Sequence, residues 1–212
     1  MLLSSIDRED SRRNMHKFRI LLAAFTMLLA PTSGSADTNV LSFEAGTVLR
    51  EFTSEHGGRD APEWTALATI DGTTKLGWSS QEGAPFPHEC VYEMRSHYSI
   101  HAIEIDNRHS DEPSWPGISA AEFTVSGSAV GPTGPFVELF SGRANSGDLT
   151  RFESNSPQKV RWIKLSISSN GGDALYTELM ELRAFTKETG PNAASTAVSS
   201  TYATNWNNFF LQ

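Results

Sequence analysis

From residue 37 onward, apolar and polar residues alternate in short runs that are separated by glycine, proline, serine and asparagine. Phe123 and Val125, for example, alternate with Glu122 and Thr124, so one face of that segment is apolar and the other is polar. A period of two residues is typical of a strand with one buried face, and the 3.6-residue period of a helix is not sustained in this region. The pattern therefore predicts an all-β domain.

The same pattern predicts eight strands. They are expected near residues 48–52, 89–94, 100–107, 120–126, 136–141, 149–153, 160–168 and 177–185. Strands that are apolar on one face bury that face by packing sheet against sheet, so we expect an antiparallel sandwich. The sequence Asn170-Gly171-Gly172-Asp173 predicts a tight turn between the last two strands.

The N-terminal region has the layout of a secretory signal peptide. Residues 20–30 form an apolar run that is too short to span a bilayer, which needs about 20 residues. The run follows four basic side chains, Arg12, Arg13, Lys17 and Arg19. Small residues, Gly34 and Ala36, precede a cleavage position after Ala36. Residues 1–36 are therefore predicted to be a signal peptide, and the alternative is a buried core helix.

Two further predictions follow from this leader. Because residues 1–14 are long for a leader and contain acidic side chains, Met15 is an alternative start. Cleavage after Ala36 would leave a mature chain that begins at Asp37 and is secreted or periplasmic, with no membrane insertion after signal cleavage.

The composition changes again after Lys187. Residues 188–200 are rich in Gly, Pro, Ala, Ser and Thr and are predicted to be a linker. Residues 201–212 form an aromatic-rich tail that contains Trp206, Phe209 and Phe210. A lone strand cannot bury such side chains, so the tail either docks on the domain of residues 37–187 or is the first strand of a second β unit in a longer protein.

The net charge of the chain limits the classes of molecule that it is expected to bind. The formal net charge is −8, and it becomes −10 without residues 1–36, since 12 basic and 22 acidic side chains are left. Such a surface repels phosphate backbones and anionic lipid headgroups, so nucleic acid is not an expected partner.

Cys90 is the single cysteine and alternates with Tyr92 and Met94, so it is predicted to be a core residue without a disulfide.

The sequence carries none of the usual catalytic motifs. It lacks a His-Glu-x-x-His helix, a Gly-x-Ser-x-Gly elbow, a phosphate-binding glycine loop and paired metal-binding cysteines. His97 and His101 lie four residues apart, a spacing that does not converge in a strand. Glu178 and Glu181 have opposite strand parity and are not expected to act as a catalytic pair. We therefore predict that the chain is not an enzyme.

The stretch 70–80 predicts an ordered turn with a buried anchor on each side. Asp71-Gly72 combines a side-chain acceptor with a residue that tolerates positive φ, and Ile70 and Trp78 are the apolar anchors. The aspartate is either part of a turn without a ligand or one ligand of a hard-cation site.

Three segments in order resemble the discoidin domain, also called the coagulation-factor type C domain. The first is Ala66-Leu67-Ala68-Thr69-Ile70-Asp71-Gly72 with Trp78. The second is Val160-Arg161-Trp162-Ile163-Lys164-Leu165-Ser166-Ile167, and the third is Tyr176-Thr177-Glu178-Leu179-Met180-Glu181-Leu182-Arg183-Ala184-Phe185. The resemblance implies an eight-stranded jelly-roll sandwich of the galactose-binding-domain type, which binds ligands and does no chemistry.

The resemblance also implies a cofactor. In carbohydrate-binding members of the family, the aspartate of the Ile-Asp-Gly turn and a glutamate of the closing strand share a structural calcium ion. These positions are Asp71 and Glu181 here, while Leu76 departs from the threonine that those members carry. The alternative is that Glu181 pairs with Arg161 or Arg183.

Loops at one end of the sandwich hold the ligands of this family. In the loop 107–117, Trp115 with Arg108 and His109 combines a stacking plane with polar groups of the kind that hold sugars. The loop 55–64 adds Trp64, together with His56 and Arg59. Alternatively, Trp115 closes its loop over the core and Trp64 caps the barrel.

The function predicted from these features is a secreted or periplasmic, non-catalytic binding module for carbohydrate. The alternative is a structural or adhesive domain that binds another protein in a cell-envelope assembly. The predicted partner is accordingly a glycan or an envelope protein.

Overall fold

The computed structural model describes residues 36–57 and 63–187. The predicted signal peptide, the linker and the aromatic tail lie outside the described residues. Within the described residues, no helix has the length and hydropathy that crossing a membrane requires.

The described part of the chain forms nine strands and one short 3₁₀ helix, Ala66–Ile70. The strands are β1 (Thr38–Asn39), β2 (Val48–Phe52), β3 (Trp78–Ser79), β4 (His88–Asp106), β5 (Glu122–Ser128), β6 (Val137–Arg143), β7 (Leu149–Ile167), β8 (Glu178–Leu179) and β9 (Glu181–Thr186). The all-β prediction is therefore confirmed.

The strands form two antiparallel sheets. The larger sheet has the order β1-β9-β4-β7-β5-β6, with β2 paired to the first half of β4. The smaller sheet pairs β3 with β8, so that Trp78 lies opposite Leu179. Because β8 and β9 follow each other in sequence, the closing segment of the chain connects the two sheets.

In two places, a pair of predicted strands forms a single long strand in the structure. The predicted segments 89–94 and 100–107 are both part of β4, and the segments 149–153 and 160–168 are both part of β7. β4 and β7 pair from His88–Ile167 to Asp106–Leu149, with irregular register between Glu93 and Tyr98 and again between Ile100 and Ala102. These irregularities interrupt the alternation of apolar residues, so the sequence pattern divides each strand in two.

The predicted last strand shows the opposite difference. The predicted strand 177–185 is two strands in the structure, β8 and β9, with Met180 between them. The Met180 N–H donates a hydrogen bond to the carbonyl of Asp106. Leu182 and Ala184 of β9 are fully buried, whereas Phe185 is only partly buried. The alternation along β9 therefore places Leu182 and Ala184 in the core and Phe185 partly outside it.

One hydrophobic core joins the two sheets and the 3₁₀ helix. It includes Trp78 from the small sheet, Tyr92 and Ile103 from β4, and Leu165 from β7. Burying a large apolar side chain of this kind contributes roughly 1.5 to 3 kcal/mol. The Tyr92 hydroxyl has a polar partner, since it lies 2.7 Å from the Thr69 hydroxyl.

Cys90 is buried in this core as a free thiol. Burial raises the pKa of the thiol to about 12, and the charges of Glu55 and Glu89 add to the effect. A thiol of that pKa is unreactive at neutral pH. The prediction of a structural core cysteine is confirmed.

Candidate functional site

A small cavity lies where three loops meet beside β3 and β8. Its volume is about 180 Å³. Four rings line it, those of His56, Trp64, Trp115 and Tyr176. The polar lining comes from Ser79, Asp111 and Glu178, and Ile118 lies among them. We call this the tryptophan cavity, because it is lined by Trp64 and Trp115, the two tryptophans predicted from the sequence to bind ligand.

The rings of the tryptophan cavity are packed edge to face. The Trp115 and Tyr176 centroids are 5.7 Å apart at 81°, and those of His56 and Tyr176 are 5.4 Å apart at 87°. This geometry is favourable for aromatic pairs and holds Tyr176 between the other two rings. Trp115 is 43% exposed, so a large part of its indole is open to a ligand. The alternative that Trp115 merely closes its loop over the core does not fit this exposure.

The loop that carries Trp115 is fixed by its own backbone. The N–H of Trp115 donates to the carbonyl of Asp111 at 2.7 Å. The carboxylate of Glu112 accepts hydrogen bonds from the N–H groups of Gly117 and Ser119, at 2.7 and 2.9 Å. A loop held at so many points presents its side chains at little ordering cost when a ligand binds.

Gly117 is required where this loop meets the loop before β8. Its φ is +89°, and a Cβ there would lie 2.8 Å from the nitrogen of Asp173 and 2.9 Å from the carbonyl carbon of Gly171. The two backbones are joined by a hydrogen bond of 3.2 Å from Asp173 to Gly117. Only glycine allows this approach, so it helps fix the position of Trp115 relative to Tyr176.

Trp64 has an unusual backbone conformation. Its φ is +63°, in the left-handed region that bulky residues rarely adopt. The strand-like bridge between Trp64 and Trp78 and the bond from the Gly57 N–H to the Trp64 carbonyl hold it there. Strained conformations of this kind concentrate at binding sites, where the surrounding structure fixes them.

Glu178 is the buried acid of the tryptophan cavity. It is only 5% exposed, and its Oε2 accepts a hydrogen bond of 2.9 Å from the N–H of Asp111. Burial raises the pKa of its carboxyl group to about 7, and the negative charges of Asp111, Glu112 and Asp173 add to the rise. A carboxyl group in a cavity whose pKa is raised by burial and by neighbouring charges is typical of a binding site.

Arg108 and His109 do not line the tryptophan cavity with Trp115. The Arg108 guanidinium binds the fully buried carboxylate of Asp106 through two bonds, of 3.0 and 2.7 Å. Burial raises the pKa of Asp106, but hydrogen bonds from Arg108 and Arg183 more than offset it and lower the pKa. The Nδ1 of His109 lies 2.9 Å from the Thr74 hydroxyl, beside the Asp71 turn. Both side chains thus have partners within the fold.

Asp71 and Glu181 lie in one place. The Gly72 N–H donates to Glu181 Oε1 at 3.2 Å, and Asp71 Oδ1 accepts from the Thr73 N–H at 2.8 Å. Glu181 is fully buried and its Oε2 has no hydrogen-bond partner in the described part of the chain. Burial raises its pKa to about 8, with a further contribution from the charge of Asp71.

The alternative that Glu181 forms an ion pair with Arg161 or Arg183 is wrong. Arg161 pairs with Glu93, and Arg183 pairs with Glu104 and Asp106. Both arginines therefore form their salt bridges with other carboxylates, and the charge of Arg183 only partly offsets the effect of burial on the pKa of Glu181.

The donor set at Asp71 and Glu181 fits a hard cation if backbone carbonyls complete it. The unpartnered Glu181 Oε2 is an oxygen that a cation would satisfy, and calcium takes six to eight oxygen ligands. Among residues 36–57 and 63–187, however, no three His, Cys, Asp or Glu side chains gather around one point. Leu76 is 44% exposed and has no oxygen to offer.

A larger groove of about 370 Å³ lies elsewhere on the sandwich. Ile100, Val137 and Leu139 line it together with Glu138, Ser154, Ser156 and Gln158. This lining includes no aromatic ring from the described residues, so the groove offers no stacking plane. The tryptophan cavity is therefore the better candidate site despite its smaller volume.

Sequence reasoning identified part of this site. Trp64 and Trp115 were found because exposed tryptophans in polar loops stand out. Glu178 and Tyr176 were missed as binding residues, because Glu178 lies inside the predicted strand 177–185 and Tyr176 immediately precedes it. The proximity of Glu178 to Asp111 depends on a contact across 67 positions, for which the sequence has no local signal.

A β-sandwich that presents an aromatic cavity on its end loops has the architecture of a ligand-binding module. The chain belongs to the F5/8 type C domain family, whose model matches residues 52–182. The resemblance to the discoidin family is thus confirmed. Comparison with curated proteins gave no significant match.

Solved structures share the fold. A family 32 carbohydrate-binding module from C. perfringens NanJ, in complex with galactose, has a TM-score of 0.57 at 15% identity, over 71% of this chain and 99% of that one. Chitosan-binding module 1 of a chitosanase/glucanase from Paenibacillus sp. IK-5 has a TM-score of 0.54 at 15% identity, over 69% and 98%. These matches confirm the galactose-binding-type jelly roll.

An enzyme also contains this fold. Allantoicase from Saccharomyces cerevisiae matches with a TM-score of 0.55 at 16% identity, over 71% of this chain but 43% of that one. At such identities, the matches establish the fold and not the activity.

Proposed function

We propose that this chain is a non-catalytic carbohydrate-binding module that holds its ligand in the tryptophan cavity. The observation that carries the proposal is the position of Trp64 and Trp115 on one cavity with the acids Glu178 and Asp111. An exposed indole offers a flat apolar face to a sugar ring, and carboxylates accept hydrogen bonds from its hydroxyl groups. Structures of the same fold that are named for galactose and chitosan binding support the proposal.

A small open cavity limits the affinity. The site buries few contacts against the cost of association, so a dissociation constant on the order of micromolar to millimolar is expected. The acidic chain favours neutral or positively charged sugars over sulfated or uronic-acid glycans, because like charges repel.

The test is a calorimetric or NMR titration of the purified chain with a panel of neutral, amino and acidic sugars. Trp115→Ala should weaken binding about tenfold and lower the melting temperature only slightly, since Trp115 is 43% exposed and its main ring contact is with Tyr176. Phe52→Ala is the matched control, because Phe52 is 46% exposed and does not line the cavity.

A second outcome would identify the alternative function. If no sugar binds and the wild-type chain instead captures a defined envelope protein, the module is a protein-interaction domain. Turnover of any sugar would contradict both functions.

We further propose that the protein is secreted or periplasmic. The layout of residues 1–36 supports export, with basic residues, an apolar run and a small-residue cleavage position. N-terminal sequencing of exported protein should give Asp37 as the first residue. Protein in the cytosol that retains residues 20–30 would contradict this proposal.

A structural calcium ion at Asp71 and Glu181 is the cofactor that we propose. Bound there, it would supply the positive charge that the buried Glu181 carboxylate lacks. Asp71 lies in the turn after the 3₁₀ helix, and Glu181 begins β9. An ion shared by their carboxylates would therefore join that turn to β9.

A further inference from the structure

Glu178 is a buried acid of the tryptophan cavity that has no positive partner among the described residues. The ion pairs of the described residues involve other carboxylates. Asp106, for comparison, is fully buried but is bound by Arg108 and Arg183. A buried carboxylate without a cation is costly, and in general such a group is either neutralised or finds a positive charge.

The surroundings of Glu178 are negative. Asp111 supplies its backbone N–H, but the side chains of Asp111, Glu112 and Asp173 all act to raise its pKa. The basic group among the described residues that line the cavity is His56, which is exposed and contacts the Tyr176 ring. A ligand that brings its own positive charge would relieve this repulsion, whereas a neutral ligand would not.

The walls of the tryptophan cavity suit the same charge. Trp64, Trp115 and Tyr176 line the cavity together with Glu178, and the faces of such rings attract cations, indole most strongly. Two separate interactions therefore favour an ammonium group in this cavity: attraction to the aromatic rings and attraction to the Glu178 carboxylate. A sugar hydroxyl could form a neutral hydrogen bond to Glu178, but charge-assisted hydrogen bonds are roughly twice as strong.

On the basis of the carbohydrate-binding function above, we propose that the tryptophan cavity selects sugars with a free, protonated amine, and that Glu178 is the residue that recognises the ammonium group. N-acetylation of the ligand removes its charge and replaces the ammonium group with a neutral amide. The preferred ligand class is therefore glucosamine-type saccharides over their N-acetylated counterparts.

Three disaccharides of the same linkage test this specificity on the purified chain. They are the β-1,4-linked glucosamine dimer, its fully N-acetylated form and cellobiose, titrated by calorimetry near neutral pH, where the Glu178 carboxyl group with its pKa of about 7 can ionise beside a protonated amine. The free-amine dimer should bind at least about tenfold more tightly than the other two.

Glu178→Gln separates charge from shape, because glutamine keeps an acceptor for the Asp111 N–H. The substitution should weaken the glucosamine dimer about tenfold and change the two neutral dimers less than about twofold. Glu138→Gln is the control for lost net charge, since Glu138 lines the other groove, and it should leave all three affinities unchanged.

The outcomes distinguish the two proposals. If none of the three sugars nor the wider panel binds, the carbohydrate-binding function itself fails. If the neutral dimers bind as tightly as the amine, binding stands and the amine preference is overturned. A tenfold preference that persists in Glu178→Gln removes the role of Glu178. If Glu178→Gln does not fold, two other measurements test the amine preference. The wild-type chain should still bind the amine more tightly than its N-acetylated form, and Asp111→Asn, which removes a negative charge beside Glu178, should reduce that difference.

Discussion

The backbone N–H of Asp111 donates a hydrogen bond of 2.9 Å to the carboxyl group of Glu178, although 67 positions separate the two residues. The bond attaches the loop that carries Trp115 to strand β8, and β8 pairs with the strand that begins at Trp78. The loop that carries Trp115 is therefore anchored to a buried strand beside the candidate site. This arrangement makes the effects of individual substitutions predictable.

Arg108→Ala is expected to affect stability and not sugar binding. Arg108 binds the fully buried Asp106, and its loss leaves Arg183 as the remaining partner of that carboxylate. We expect the free energy of unfolding to fall by about 1 kcal/mol, measured by urea denaturation. Arg143→Ala is the control, since its pair with Glu122 is exposed and should contribute less. Lost sugar affinity with unchanged stability would show that Arg108 contacts the ligand after all.

Glu181 is expected to make stability fall as the pH rises. Its pKa is about 8 in the folded chain, above the ordinary 4.5, so the folded state retains a proton that the unfolded state has lost. The stabilisation is complete below about pH 4.5 and is lost as the pH rises through about 8. Glu181→Gln should flatten the curve between these values by a few kcal/mol, measured by denaturation at several pH values in chelator. A stability curve of unchanged slope in Glu181→Gln would contradict the raised pKa.

Calcium is expected to raise the melting temperature of the wild-type chain. If the ion binds at Asp71 and Glu181, a hundredfold excess over the dissociation constant adds about 2.7 kcal/mol. The effect should be greatest at neutral to alkaline pH, where Glu181 ionises more readily. Asp71→Asn and Glu181→Gln should each remove most of it, while Glu138→Gln should not. A melting temperature that neither calcium nor chelator changes would exclude the ion.

Gly117→Ala is expected to be more harmful than Gly83→Ala. Both glycines have positive φ, +89° and +65°, so alanine introduces backbone strain at each. A Cβ at Gly83 meets nothing within 4 Å, whereas one at Gly117 collides with the backbone of residues 171–173. We expect Gly117→Ala to cost about 1 to 3 kcal/mol more and to weaken sugar binding by displacing Trp115. Equal effects of the two substitutions would show that the loops separate without cost.

The fold was predictable because its signals are local. Alternation marks the strands, and the turn at Asp71-Gly72 with Trp78 marks the family. The bounds of the strands were less predictable, since β4 and β7 are bent by irregular pairing that breaks the alternation. A period of two residues identifies a buried face only while the register is regular.

The sequence by itself determined the class of domain, the core position of Cys90 and the candidate tryptophans, because each depends on side-chain type and near neighbours. The tertiary structure alone decided the composition of the site. Arg108 and His109 adjoin Trp115 in sequence but turn to Asp106 and Thr74, while Glu178 comes to Trp115 from the closing segment. The physical reason is that a buried charge takes its partners from whatever the packed sheets bring within about 3 Å, which is a property of the fold and not of sequence distance.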